Sequence, residues 1–340
     1  MKGRTILLDH IGEREAAALI VDGVLEDLLI DADAPRPGTV YRAIADRPVK
    51  GQGGMFLRTP DGSAFLRQVK GLAPGQSLLV QVTGYAEPGK ALPVTQKLLF
   101  KSRYVIVTPN APGLNVSRSI REDTERDRLL EIAHEVLGGG DVGVILRSCC
   151  AGAEAQEIAD DIETMMALAE SVMGDEGSEM ETLAQGDGPH VLAWRDWGDP
   201  ACVETRAGAF EEHGILDAIE AAQSALVPLE GGACMYVEPT RALTAVDVNT
   251  GRDASLAAGV KANLACARAL PRALRLRGLG GQIVLDLAPM PKKERRGFEA
   301  ALRHALKAED IETALVGWTP LGHFELQRKR ARAALAEVLI

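Results

Sequence analysis

Apolar and polar runs alternate along residues 4–31, around Val21-Asp22-Gly23-Val24. An Asp-Gly pair between β-branched residues predicts a hairpin, because both residues accept the positive φ of a two-residue turn. Pro35, Pro37 and Gly38 mark a boundary. From Gly38 to about Phe100, short alternating segments are separated by turns at 51–54, Pro60-Asp61-Gly62, Pro74-Gly75 and Glu87-Pro88-Gly89. Many short strands between Gly/Pro turns predict a small barrel.

Residues 103–108 and 142–147 read as strands. Between them, Leu129, Leu130, Ile132, Ala133, Val136 and Leu137 recur at helical spacing over 122–137, and Gly138-Gly139-Gly140 ends that helix. Residues 153–173 predict a long helix, acidic on one face and carrying Ile158, Ile162, Met165, Met166 and Leu168 on the other. The Gly/Asp/Glu-rich stretch 174–189 reads as a mobile loop. Beyond a helix at 215–225, strands are expected at 233–237, 243–248, 283–287 and 312–318. Helices are expected at 255–276, with Pro271 as a kink or restart, at 292–307, and at 323–338.

Composition narrows the class. Of 340 residues, 46% are hydrophobic and 25% charged, as in a globular chain with a sizeable core. No run of eighteen apolar residues is present, so no membrane span is expected. The N-terminus, Met1 through Asp9, meets a charge too early for a signal peptide. Five cysteines with no CxxC pair argue against a disulfide framework or a zinc knuckle, and the expectation is a reduced, cytoplasmic protein. The net charge of −10 conceals an uneven distribution. Residues 151–230 hold 19 acids and 2 bases, whereas 241–340 hold 17 bases and 10 acids. A locally basic face can bind phosphates whatever the total charge, although solvated helix faces are the plainer account of each charge run.

The chemistry concentrates in two segments. Apolar strands run into Asp247, followed by Val248-Asn249-Thr250-Gly251, and into Asp286 after Gly280-Gly281-Gln282-Ile283-Val284-Leu285. An aspartate interrupting an apolar run is costly unless it is paired or binds a cation. Two carboxylates at adjacent strand ends could share one Mg2+, a hard ion that wants oxygen ligands and keeps several waters. The plainer alternative is that each caps a following turn, as Asp does well. The six histidines are scattered without ligand spacing and read as ordinary surface or core residues.

These segments carry a family resemblance. The stretches 242–251 and 275–286, with Asn263-Leu264 between them and the ending from Pro320 through His323-Phe324-Glu325 to Arg330, resemble the catalytic core of ribonuclease E/G. The resemblance is strong over 231–332 and weaker before it. It implies that Asp247 and Asp286 hold a catalytic Mg2+ and that Asn249 orients Asp247 or the scissile phosphate. Cleavage would leave a 5′-phosphate and a 3′-hydroxyl. Family members often have another Asp three residues after the Asp286 equivalent; here that position is Pro289.

The barrel at 38–100 resembles the family's RNA-binding OB-fold, with Phe65 and Lys90 at matching RNA-binding positions. Met55 falls where the family has a second stacking aromatic. The spacing of neighbouring Phe56 against Phe65 predicts that at least one of the two is core. Residues 103–150 resemble the family's sensor of a 5′-monophosphate, which implies that Val116, Arg147 and Ser148 contact that phosphate. The cysteine pair that links subunits through zinc in larger members is absent, as is the domain beyond it. No zinc-linked tetramer is therefore expected, and a homodimer through the C-terminal helices is left open.

The expected fold is α+β with several subdomains. An RNase H-like part comprises 1–37 and 190–230; the OB-fold covers 38–100, a sensor-like region 101–189 and a DNase I-like catalytic unit 231–340. The expected activity is Mg2+-dependent hydrolysis of single-stranded RNA, favouring 5′-monophosphorylated substrates, in RNA processing or decay. The rivals are a non-catalytic RNA-binding protein and an adaptor to ribosomes or other RNases. Neither needs the trio Asp247, Asn249 and Asp286.

Overall fold

The structure is a computed structural model; it describes all residues except Met1, Lys2, Lys50, Gln52, Lys70, 139–141, Asp199, Ala201 and Ile340. The chain forms two compact units, Met1–Asp33 with Pro200–Ile340, and Ala34–Asp199.

The first unit opens with an antiparallel meander of β1 (Arg4–Ile11), β2 (Arg14–Val21) and β3 (Val24–Ile30). The predicted turn is present: Asp22 has φ 49° and Gly23 φ 84°. These positive values suit a right-twisted two-residue hairpin.

The second unit begins with a closed five-stranded barrel of β4 (Val40–Val49), β5 (Gly54–Thr59), β6 (Gly62–Leu66), β7 (Ser77–Val82) and β8 (Leu92–Thr95), in the order β4-β5-β6-β8-β7, with β7 returning to β4. Alternation drives its closure. Tyr41, Ala43, Ala45, Met55, Leu57, Ala64, Leu66, Val80 and Val82 all point inward and fill the barrel.

A four-stranded sheet follows, from β9 (Phe100–Lys101), β10 (Val105–Thr108), β11 (Gly113–Val116) and, after α1 (Asp123–Leu137), β12 (Gly143–Leu146). Helix α1 ends at Gly138 in the left-handed conformation (φ 56°), as the glycine run predicts; Gly139 and Gly140 lie outside the described residues. Helix α2 (Ala155–Met173) buries Ile158 and Ile162 with Leu129 of α1 and Val105, Val144 and Leu146 of the sheet.

The segment expected to be a mobile loop is partly ordered. It contributes β13 (Glu181–Ala184), antiparallel to β4, and is followed by α3 (Pro189–Asp196). The cause is electrostatic. The buried Arg42 guanidinium donates from Nε to Asp175 (2.6 Å) and from Nη2 to Glu181 (2.9 Å). A buried cation demands such partners, and the acidic stretch supplies them.

Returning to the first unit, β14 (Cys202–Glu204) pairs parallel to β1, and α4 (Ala209–Glu212) and α5 (Ile215–Gln223) cover that sheet. The rest builds a six-stranded sheet from β15 (Leu226–Pro228), β16 (Cys234–Pro239), β17 (Thr244–Asn249), β18 (Gly281–Asp286), β19 (Thr313–Trp318) and β20 (Phe324–Arg328), in the order β15-β16-β17-β18-β20-β19. Helix α6 (Leu256–Leu276) makes the crossover between the parallel strands β17 and β18, and α7 (Arg295–Leu306) joins it in the core. Ser255 caps α6, its Oγ accepting the Ala258 N–H at 3.1 Å. Pro271 does not restart the helix: α6 continues through it, with Leu270, Ala273 and Leu274 buried around it.

The expected helix over 323–338 is instead β20 and the short α8 (Leu335–Val338). Phe324, Leu326 and Arg328 are buried while Glu325 and Gln327 are not, a period of two that pairing with both β18 and β19 enforces. Among the described residues, no helix is long and apolar enough to cross a membrane.

Candidate active site

The two aspartates singled out in the sequence stand side by side. In β17, Thr244, Val246 and Val248 point into the core, so Asp247 and Asn249 point out. In β18, Ile283 and Leu285 point inward and Asp286 outward. The parallel register pairs Asp247 directly with Asp286. Partners in a parallel ladder share a face, so both carboxylates project from the solvent side of the sheet at its C-terminal edge. Both residues are exposed.

Their surroundings are fixed by specific contacts. Asn249 Oδ1 accepts the Gly251 N–H at 2.8 Å and shapes the turn after β17; its Nδ2 has no partner among the described residues. Gly251, at φ 73°, lies where an added Cβ would stand 2.7 Å from the Gly232 carbonyl oxygen, so the turn needs glycine there. The loop after Asp286 is pinned from below. The fully buried Asn263 of α6 donates from Nδ2 to the Ala288 carbonyl (2.8 Å), and its Oδ1 accepts the Ala288 N–H (3.0 Å). A Cβ on Gly259 would come within 2.2 Å of the Pro289 carbonyl oxygen, so α6 and this loop are in close approach. His323, in the β19–β20 turn, lies with Nε2 3.7 Å from Asp286 Oδ1.

Two carboxylates and an outward amide suit a hard divalent cation that takes few protein ligands and retains water. Among the described residues, no cluster of three or more His, Cys, Asp or Glu side chains offers an alternative metal cage.

On the barrel, Phe56 is the direct cross-strand partner of Phe65, which places both on the outer face, their ring centroids 5.3 Å apart. Both are half-buried, so the expectation that one would be core does not hold. Met55 points the other way, into the barrel. The Arg47 guanidinium carbon lies 4.9 Å from the Phe56 centroid. The Phe65 ring covers Gly54, where a Cβ would meet its Cζ at 2.4 Å. Lys90 is exposed in the loop between β7 and β8 and ion-pairs with Glu87.

Val116 and Leu146 are register partners, so Val116, Arg147 and Ser148 lie at one end of the β11–β12 pair. Ser117 N–H donates to Leu146 O, which turns the Val116 N–H toward the open edge of the sheet. Ser148 is exposed at the start of a 3-10 turn. Arg147 is heavily engaged. Its Nη1 donates to the carbonyl oxygens of Ser102, Arg103 (3.1 Å) and Arg195 (3.0 Å), and its Nη2 donates to Asp196 Oδ1 (2.8 Å). Lys101 and Arg195 also bind Asp196, at 2.7 and 2.8 Å. Burial alone would raise the Asp196 pKa, but Arg195 and Lys101 more than offset it and hold the carboxyl well below the usual range. The Cys149-Cys150 run completes the 3-10 turn; burial pushes the Cys150 thiol up to about 12.

Sequence reasoning missed Asp196, Asn263 as a loop anchor and Phe56 as the partner of Phe65. Only Phe56 left a usable signal: counting by twos from Leu57 and Leu66 puts Phe56 and Phe65 outside.

The Ribonuclease E/G family matches residues 100–200 and 198–331. Ribonuclease G of Salmonella typhimurium and that of Escherichia coli K12 are each 26% identical over 402 aligned positions, covering 98% of this chain and 81% of theirs. Ribonuclease E of Nostoc sp. is 25% identical, covering 94% of this chain and 55% of its own. With most of its length matched in two consecutive stretches, the chain belongs to the ribonuclease E/G family.

Proposed function

We propose that the endoribonuclease activity of this family member is Mg2+-dependent hydrolysis of single-stranded RNA, yielding 5′-phosphate and 3′-hydroxyl ends. The observation that carries the proposal is the direct pairing of Asp247 with Asp286 on an open sheet face. Asp247 and Asp286 would hold the cation. When bound, Mg2+ supplies charge neutralisation at the phosphate and a water of lowered pKa. Asn249 presents its Nδ2 donor beside Asp247, suited to a phosphate oxygen, while Gly251 fixes its orientation. Asn263 keeps Ala288, and with it the exit of β18, in place below the site.

Phe56 and Phe65 offer two adjacent ring faces for unpaired bases, with Arg47 and Lys90 as cations in the same barrel. A preference for 5′-monophosphorylated RNA rests on Val116, Arg147 and Ser148. After its bonds to Asp196 and the three carbonyls, Arg147 keeps its Nε–H and one Nη2–H without partners among the described residues. Two such donors can fork a terminal phosphate.

The test is incubation of the purified protein with a 5′-monophosphorylated, A/U-rich oligoribonucleotide, with and without Mg2+. Internal cleavage only with the cation is expected. An intact substrate in both arms would favour a non-catalytic RNA-binding role.

A further inference from the structure

Trp194 is half exposed (51%), although it sits on the short helix α3, whose Ala193 and following Trp197 are buried. One face of its indole is covered by Arg103, whose guanidinium carbon lies 4.1 Å from the ring centroid, and Arg103 also donates to the Trp194 carbonyl. The indole N–H has no hydrogen-bond partner among the described residues. Val191, one turn earlier, is equally open at 52%.

The other stacked tryptophan makes the contrast plain. Trp318 also carries an arginine, Arg295, at 4.1 Å. It packs edge-on against Phe324 and donates its N–H to Glu299 at 2.7 Å, so its place in the core accounts for it. Nothing comparable accounts for Trp194.

Its neighbours are cationic. Arg147 bonds the carbonyl oxygens of Arg103 and Arg195, the residues that flank the stack in space and in sequence. Lys101, Arg147 and Arg195 converge on Asp196, and Arg195 also binds Asp187 at 2.5 Å, so three cations meet two carboxylates. An exposed apolar helix face alone would suit a protein partner. An open indole backed by arginine, beside Lys101, Arg147 and Arg195, suits single-stranded nucleic acid, whose bases stack and whose phosphates seek cations.

We propose that the open face of Trp194 is a nucleobase-stacking step for single-stranded RNA, with Arg103 bracing the indole and the Lys101–Arg147–Arg195 cluster facing the adjoining phosphates. The step lies outside the barrel and does not require recognition of a 5′-phosphate. It rests on the reading that single-stranded RNA is the substrate.

The test is titration of the wild-type protein, Trp194→Phe and Trp194→Ala with a fluorescein-labelled 12-mer oligouridylate in EDTA, which prevents turnover, following anisotropy and tryptophan emission. RNA should quench wild-type emission. Trp194→Phe should lose most of that quenching yet bind within about threefold, because its ring still stacks. Trp194→Ala should bind roughly fivefold or more weakly, with a thermal melt within a few degrees of wild type because the side chain is exposed. Unchanged affinity in Trp194→Ala, or weakening that Trp194→Phe fails to rescue, would overturn the stacking step while leaving the RNA reading intact. No binding by the wild-type protein would remove both.

Discussion

Asp247 and Asp286 are direct partners in the parallel β17–β18 pair, and both face solvent. Neither carboxylate is needed to satisfy the core beneath, so replacing one should leave the fold nearly unchanged. Asp247→Asn and Asp286→Asn should each lower cleavage by at least about a hundredfold while oligoribonucleotide affinity in EDTA changes little. Loss of one ligand removes charge that binds Mg2+ and none that binds bases. Cleavage at the wild-type rate by either variant would refute the metal assignment.

Asn263 should matter at a distance. Its side chain makes two hydrogen bonds to one buried backbone unit, Ala288. Asn263→Ala leaves the Ala288 N–H and carbonyl without those partners, at a cost on the order of 1–3 kcal/mol. Urea unfolding should show a lower midpoint, and kcat should fall more than the stability loss explains, because the loop after Asp286 is released. A destabilised variant with full kcat would limit Asn263 to a structural role.

Arg147 is expected to be both structural and selective. Its tie to Asp196 and three carbonyls means that Arg147→Ala should lower the melting temperature. If it also reads the terminal phosphate, the kcat/KM ratio of 5′-monophosphorylated to 5′-hydroxyl substrate should drop roughly tenfold, as losing a charge-assisted contact predicts. An unchanged ratio with a lowered melting temperature would assign it to structure alone.

Acid should weaken the first unit through Asp27. Burial would raise its pKa, but Arg332 and Arg275 outweigh burial and hold it below the ordinary value. A carboxyl depressed in the native state contributes stability that is present above its unfolded pKa of about 4 and is lost as pH falls through the native value. Stability in urea should therefore decline below about pH 4. Asp27→Asn should be less stable at pH 7 and lose less on acidification. Parallel pH profiles for the two proteins would contradict this.

The thiols should divide sharply. Burial pushes both Cys150 and Cys266 up to about 12, leaving almost no thiolate at pH 8, whereas Cys202 is exposed. Iodoacetamide should label Cys202 in the native protein, and Cys150 and Cys266 only in denaturant, as read by mass spectrometry. Metal analysis should find no stoichiometric zinc, and its presence would show a thiolate site that cysteine spacing argues against.

What the sequence determined by itself was local. The Asp22-Gly23 turn, the barrel strands between Gly/Pro turns, the helix stopped at Gly138 and two apolar strands ending in aspartate follow from period, turn chemistry and capping, which act over a few residues. The tertiary structure decided everything that needs a distant partner. Register brought Asp247 level with Asp286 and set Phe56, rather than Met55, beside Phe65. Pairing on both sides made 324–328 a strand although its neighbours read as a basic helix. Charge was the least legible feature. The basic excess of 241–340 looked like an RNA-binding face, yet Arg275 and Arg328 bind the enclosed side chain of Glu309, Arg332 binds Asp27, and Arg277 donates to the Ser224 carbonyl (2.9 Å). A guanidinium in the interior must find acceptors, and which distant segment supplies them is fixed only when the chain is folded.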